Sequence, residues 1–165
     1  MAQHMSDYSH LPEGYHTVTP YLVCQGAADA IDWYKEVFGA TEDMRFEVPG
    51  MGIGHCELQV GNSKFMLADE CPEMDFLSPK SIGGTAVSIC LYIADADPMF
   101  TKALEKGATV KKPLEDQFYG DRSGTVIDPW GHQWTIATRK EDLTEEQMRE
   151  RMNAMMEQQG EGGSE

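Results

Sequence analysis

The sequence predicts an α+β chain built from two βαβββ modules, on three observations. These are an internal repeat at one offset, an amphipathic helix in each copy, and three strand candidates after each helix. Shifted by 68 residues, 20–41 (PYLVCQGAADAIDWYKEVFGAT) lies over 88–109 (SICLYIADADPMFTKALEKGAT) without a gap. Ala28-Asp29 then falls on Ala96-Asp97, and Gly39-Ala40-Thr41 on Gly107-Ala108-Thr109. A repeat on this scale marks a duplicated supersecondary unit whose copies share a core.

Each copy opens on a run rich in β-branched and aromatic residues, 17–24 and 85–93, the composition of a strand. Apolar residues at helical spacing follow: Ala27, Ile31, Tyr34 and Phe38 in the first copy, Met99, Phe100, Ala103 and Leu104 in the second. Asp97-Pro98 reads as an N-cap with proline at the first helical position. Gly39 and Gly107 stand where a helix ends in the left-handed conformation. The later strands are expected at 41–48, 55–60 and 63–68, then at 109–112, 122–127 and 133–138. Gly61-Asn62 is a two-residue hairpin signal, and Asp128-Pro129-Trp130-Gly131 suits a type I turn.

The expected organisation is an arm over 1–14, a first module over 15–70, a linker over 71–84 and a second module over 85–139. A C-terminal helix over 140–159 and a disordered tail over 160–165 complete it. The linker carries Pro72, Pro79 and Gly83-Gly84. The helix opens on a capping box, Thr144 to Gln147, and lines up Met148, Met152, Met155 and Met156 on one face. That stripe reads most simply as packing, against the chain's own body or a second subunit.

A formal charge of −15, from 28 acidic and 13 basic residues, repels phosphate backbones and anionic lipid headgroups. Nucleic acid and membrane are therefore not expected partners. No run is long and apolar enough to span a bilayer, and the first residues lack the pattern of a signal peptide. Cys24, Cys56, Cys71 and Cys90 show no CxxC spacing, which suits free thiols in a cytoplasmic chain.

The closing segment, Tyr119-Gly120-Asp121-Arg122 followed by Asp128-Pro129-Trp130-Gly131-His132-Gln133-Trp134, resembles the PhnB-like branch of the vicinal oxygen chelate superfamily (glyoxalase, bleomycin-resistance protein, dioxygenase). So do His55-Cys56-Glu57-Leu58 and Phe65-Met66-Leu67-Ala68-Asp69-Glu70. The resemblance spans about 15–139 and implies that paired modules curl their sheets into a cup holding a ligand. Metal-dependent members place histidine or glutamate on the first and last strands of each module. Those positions correspond here to Pro20, Ser88, Thr135, and Phe65 or Leu67, none of which is a competent ligand. The resemblance thus implies a cup with no metal site and no resident cofactor, with a divalent metal left open.

His55 and Glu57, two apart, share one strand face and offer an acid/base pair or two ligands; a hydrogen-bonded rim pair is the plainer reading. His132 either caps its turn or donates to a ligand. Arg122 presents a planar fork suited to an anion, against a structural pair with Asp121 or Asp128. Tyr119, Trp130 and Trp134 can wall a pocket for a flat molecule, although core packing explains Trp134 equally well.

Three functions compete on these residues. The first is a metal-free cup that binds a small organic molecule, a small-molecule partner, in a homodimeric protein. The second is a glyoxalase- or dioxygenase-type enzyme with a non-standard metal set from His16, His55, Glu57 and His132. The third is an interaction module docking through the methionine face.

Overall fold

A computed structural model describes residues 10–161. The chain divides into two compact units, one ending at Thr85 and the other beginning at Ala86. The first nine residues of the expected arm and the last four of the expected tail lie outside the described residues.

The first unit contains β1 (Tyr21–Cys24), α1 (Ala27–Phe38), β2 (Thr41–Val48), β3 (Gly52–Val60) and β4 (Ser63–Asp69). Its sheet runs β1-β4-β3-β2, with β1 parallel to β4 and the remaining pairs antiparallel. Parallel pairing requires a long crossover, which α1 begins. The helix lays Ala27, Ala30, Ile31, Tyr34, Val37 and Phe38 over Leu22, Cys24, Cys56, Leu58, Phe65 and Leu67, all of them buried. Side chains alternate along a strand, so the intervening residues point to the opposite, open face. Val60 pairs with Ser63 around Gly61-Asn62, and Gly61, at φ 58°, takes the glycine position of a II′ turn.

The expected linker is ordered structure belonging to this unit. A 3₁₀ turn at Pro72–Met74 is followed by the short helix α2 (Pro79–Ile82), which Ser78 caps.

The second unit repeats the plan as β5 (Ser88–Tyr92), α3 (Ala96–Glu105), β6 (Thr109–Asp116), β7 (Asp121–Ile127) and β8 (Gln133–Arg139). Its sheet order is β5-β8-β7-β6, again with the first strand parallel to the last. Val126, Trp134 and Ile136 are buried on the helix side with Phe100 and Ala103. Gly124 lets α3 come close, because a Cβ there would sit 2.6 Å from the Phe100 ring and 2.8 Å from Leu114 Cα.

Two expectations need correction. The cap of α3 is Asp95, whose carboxylate accepts from Asp97 N at 3.2 Å; Asp97 lies inside the helix. The repeat is also out of step by one residue over its first half. Ala27 matches Ala96 as the buried start of each helix, and the pairs Tyr21–Met66 and Cys90–Thr135 are equivalent, so the true offset there is 69. The offset of 68 holds at β2 and β6, where Thr41 matches Thr109, since α1 has 12 residues and α3 has 10. One residue of slip exchanges the two faces of a strand, so the slip alters which residues reach the open face.

The last helix, α4 (Glu145–Glu161), opens as expected: Thr144 N donates to Gln147 Oε1 at 2.9 Å, and Gln147 N to Thr144 Oγ1 at 3.2 Å. Its methionine stripe is covered only at Met148. Met152, Met155 and Met156 remain 37%, 40% and 61% exposed, so packing against the described residues does not account for it. Among the described residues no helix is long and apolar enough to cross a membrane.

Candidate functional site

On the open face of the first sheet, strand register places Met44, Glu57, Met66 and Tyr21 in one row across four strands, with Phe46 beside His55 in the next. Three of these side chains form a hydrogen-bonded line. Tyr21 Oη lies 2.8 Å from His55 Nδ1, and His55 Nε2 lies 3.4 Å from Glu57 Oε1. Burial raises the Tyr21 pKa, so the phenol keeps its proton at neutral pH. Behind Glu57 sits the hydroxyl of Tyr15, buried and without a hydrogen bond of normal geometry; its pKa is raised first by burial, then by the Glu57 carboxylate. Lys64 closes that end, 2.9 Å from Asp43 and 4.9 Å from the centre of the Tyr15 ring. Cys56 points away beneath α1, its thiol pushed up to about 11 by burial, and takes no part.

Beside this line is a cavity of about 430 Å³, walled by Met51, Ile53, Ala68, Cys71, Met74 and Phe76 among others. The Phe76 ring meets Tyr21 edge-on at 5.8 Å, so the cavity and the hydrogen-bonded line share a wall. Two carboxylates hold that wall in place. Asp69 accepts the amides of Gly26, Ala27 and Ile53 at 2.9, 2.8 and 2.7 Å. Glu70 accepts Ser78 N at 2.9 Å, Ser81 Oγ at 2.7 Å and Gln25 Nε2 at 2.7 Å. Those donors, Ser78 foremost, hold the Glu70 pKa down to about 2.

The open face of the second sheet carries hydroxyls. Ser88 reaches Thr135 at 3.2 Å, Thr135 reaches Thr125 at 2.9 Å, and Tyr119 reaches Ser123 at 3.3 Å. Tyr92 donates to the buried Asp121 at 2.7 Å, a bond that raises the phenol to about 12. Cys90 stands exposed among them.

The residues singled out from sequence fall in both units and, within the second, on both faces of its sheet. His55 and Glu57 do form a pair, and Tyr119 reaches the open face of its sheet. Arg122 turns to the helix side, where its fork grips Asp97 at 2.7 and 2.8 Å and reaches Asp116 at 3.3 Å, in place of the expected Asp121 or Asp128. It also edges a 390 Å³ hollow with Lys140, where Asp116, Asp121 and Glu141 outnumber the two cations. Trp130, His132 and Trp134 are buried around Asp128, which accepts Trp130 N and His132 N at 2.9 Å and Trp134 Nε1 at 2.8 Å. The turn organises these three through their backbone and indole donors. Tyr21 was missed: nothing local to the sequence joins it to His55, 34 positions away.

The chain matches the family model described as the Glyoxalase/Bleomycin resistance protein/Dioxygenase superfamily over residues 15–136. It is 38% identical over 148 residues to an uncharacterised protein of Mycobacterium tuberculosis (strain H37Rv), covering 88% of this chain and 85% of that one. The crystal structure of protein PA1353 from Pseudomonas aeruginosa is similar with a TM-score of 0.64 at 22% identity, covering 76% of this chain and 99% of that one. The fosfomycin resistance protein FosX of Listeria monocytogenes, complexed with Mn(II) and sulfate, is similar with a TM-score of 0.59 at 14% identity, covering 83% and 97%. This chain belongs to the Glyoxalase/Bleomycin resistance protein/Dioxygenase superfamily.

The FosX structure holds Mn(II), and a divalent ion of that kind needs about three converging protein ligands. Phe65 and Leu67 both point under α1, and the open-face residue there is Met66, opposite Tyr21. In the second unit the corresponding side chains are Cys90 and Thr135, the latter bonded to Ser88. A thioether, a phenol, a hydroxyl and one thiol, whose pKa burial raises, fall short of the three or so imidazole, carboxylate or thiolate ligands that a divalent cation wants. Among the described residues no three His, Cys, Asp or Glu side chains converge to hold a metal.

Proposed function

We propose that this protein binds a small organic molecule, without a metal, on the open face of its first sheet. One observation carries the reading: an apolar cavity of about 430 Å³ shares Phe76 with a polar line, Tyr21–His55–Glu57, that stands on rigid strands. Concave apolar sites with a few convergent polar groups are the usual form of a small-molecule site. The role is sequestration or delivery of the bound molecule, as a member of the PhnB-like branch. The motifs around Asp128 and His55 support that placement. A cytoplasmic homodimer that engages neither nucleic acid nor membrane completes the proposal, in keeping with the acidic charge and four free thiols.

The test has two arms. Protein purified without chelator is analysed for zinc, nickel, iron and manganese, and titrated with Nile red as an apolar probe. Far less than one metal per chain is expected. Probe affinity should fall about tenfold when Met51, an exposed cavity residue, becomes Met51→Trp. One retained equivalent of metal, or Nile red binding indifferent to Met51→Trp and Met74→Trp, overturns the proposal.

A further inference from the structure

We infer that Tyr21 is the specificity-determining residue of this site, and that the molecule it selects at neutral pH is uncharged, planar and a hydrogen-bond donor, such as an indole or aryl-amine. The inference rests on the binding reading above and adds the ligand class. Its ground is the direction in which hydrogen bonds can run along Tyr21, His55 and Glu57.

Glu57 as a carboxylate only accepts, so the His55 Nε2 that faces it carries the hydrogen. A neutral imidazole with hydrogen on Nε2 leaves Nδ1 as an acceptor, and Tyr21, 2.8 Å away, must donate to it. The outward side of the phenol oxygen then holds lone pairs alone, and a ligand in contact with it has to donate. Protonation of His55 reverses the polarity. Nδ1–H now donates to the Tyr21 oxygen, and the phenol hydrogen swings outward to meet a ligand acceptor. One proton on a residue that need not touch the ligand therefore exchanges the class of ligand preferred.

The surroundings support an uncharged ligand. The titratable groups about His55 are Tyr21 on β1, which bonds it, and Glu57 and the oppositely facing Cys56 on β3; Tyr15, Asp43 and Lys64 cluster behind Glu57. The one cation among these, Lys64, is engaged with Asp43. The carboxylates Asp69 and Glu70 border the cavity and spend their acceptor positions on backbone amides, serines and Gln25, so they repel an anion while offering little to a donor. Flatness is favoured by the Phe76 ring, which lines the cavity and meets Tyr21 edge-on.

Two neutral bicyclic probes test the inference in the full-length protein: indole, which only donates, and 2-acetylnaphthalene, which only accepts. Affinities are measured near pH 5 and near pH 8.5. Indole should bind about fivefold more tightly at the higher pH, and 2-acetylnaphthalene about fivefold more tightly at the lower, the worth of one hydrogen bond. Both ratios should collapse to unity in Tyr21→Phe. Probes that bind with no pH dependence overturn the role of Tyr21 while leaving the binding site standing. Failure of both probes and of Nile red removes the binding reading itself. Ring ¹⁵N shifts of the free protein provide a readout that needs no ligand: the Nε2–H tautomer is expected at high pH, and an Nδ1–H tautomer overturns the inference whatever the probes do.

Discussion

Asp69 caps a helix that begins 42 residues earlier: its Oδ1 accepts the amide of the N-cap Gly26 at 2.9 Å. The same oxygen takes Ala27 N at 2.8 Å. Gly26 occupies the N-cap position at φ 84° and has no side chain to satisfy those amides, so the end of β4 does it instead. The second unit repeats the device 69 positions on, where Thr138 Oγ1 accepts Ala96 N at 2.8 Å. In each unit the cap ties the start of the helix to the last strand of its sheet.

This tie predicts a coupling between Gly52 and Asp69. A Cβ on Gly52 would sit 2.4 Å from Asp69 Oδ2, and the residue has φ +95°. Gly52→Ala should therefore cost about 2–3 kcal/mol, part backbone strain and part displacement of the carboxylate. Asp69→Ala removes the acceptor of three amides and should cost about 2–4 kcal/mol. With Asp69→Ala in place the clash is gone, so Gly52→Ala should cost roughly 1 kcal/mol less than in the parent. Urea unfolding of the four proteins measures the cycle; strict additivity would show that the two residues act independently.

Glu70 predicts an acid-labile segment. Its pKa falls from the usual 4.5 to about 2 because the folded state offers it Ser78, Ser81 and Gln25 as donors. A carboxylate depressed on folding adds stability that is complete above the unfolded value and disappears as pH falls through the folded one. The loss should run from about pH 4.5 down to about 2, and be concentrated in residues 71–82. Amide exchange of Ser78 and Ser81 should accelerate across that window, and Glu70→Gln should flatten the response. Unchanged exchange of both amides down to pH 2 would contradict it.

Much of this was legible in the sequence because it is local. Strand runs, helix spacing, Gly39, the Gly61-Asn62 hairpin and the Thr144–Gln147 box all express short-range rules, and each appears where those rules put it. The one-residue slip was not legible. Gly39-Ala40-Thr41 and Gly107-Ala108-Thr109 align at 68, and shared identity there hid the shorter second helix. Only strand pairing reveals that Tyr21, not Pro20, reaches the open face beside Met66. The partners of Arg122 and of Gly26 come from other elements, and no spacing rule reaches across a sheet. The order within 71–84 was not legible for a related reason: its prolines and glycines are turn residues, and the bonds that Ser78 and Ser81 make run to Glu70 at the end of β4.

Asp128 is the clearest case of a residue whose motif suggested function and whose geometry supports the fold. Oδ1 accepts two amides, those of Trp130 and His132, and Oδ2 accepts the Trp134 indole, all in the interior. Asp128→Ala should cost about 3–5 kcal/mol, since it leaves three buried donors without partners. Asp128→Asn discriminates further. Its amide oxygen can still serve both backbone donors, but its NH₂ then faces the indole N–H, donor against donor, for about 2 kcal/mol. Trp134→Phe deletes the indole donor, so the asparagine substitution should cost less in that background. Urea unfolding followed by circular dichroism reads the parent and the four variants. Equal costs of Asp128→Asn with and without the indole would mean that the Trp134 bond contributes nothing to the turn.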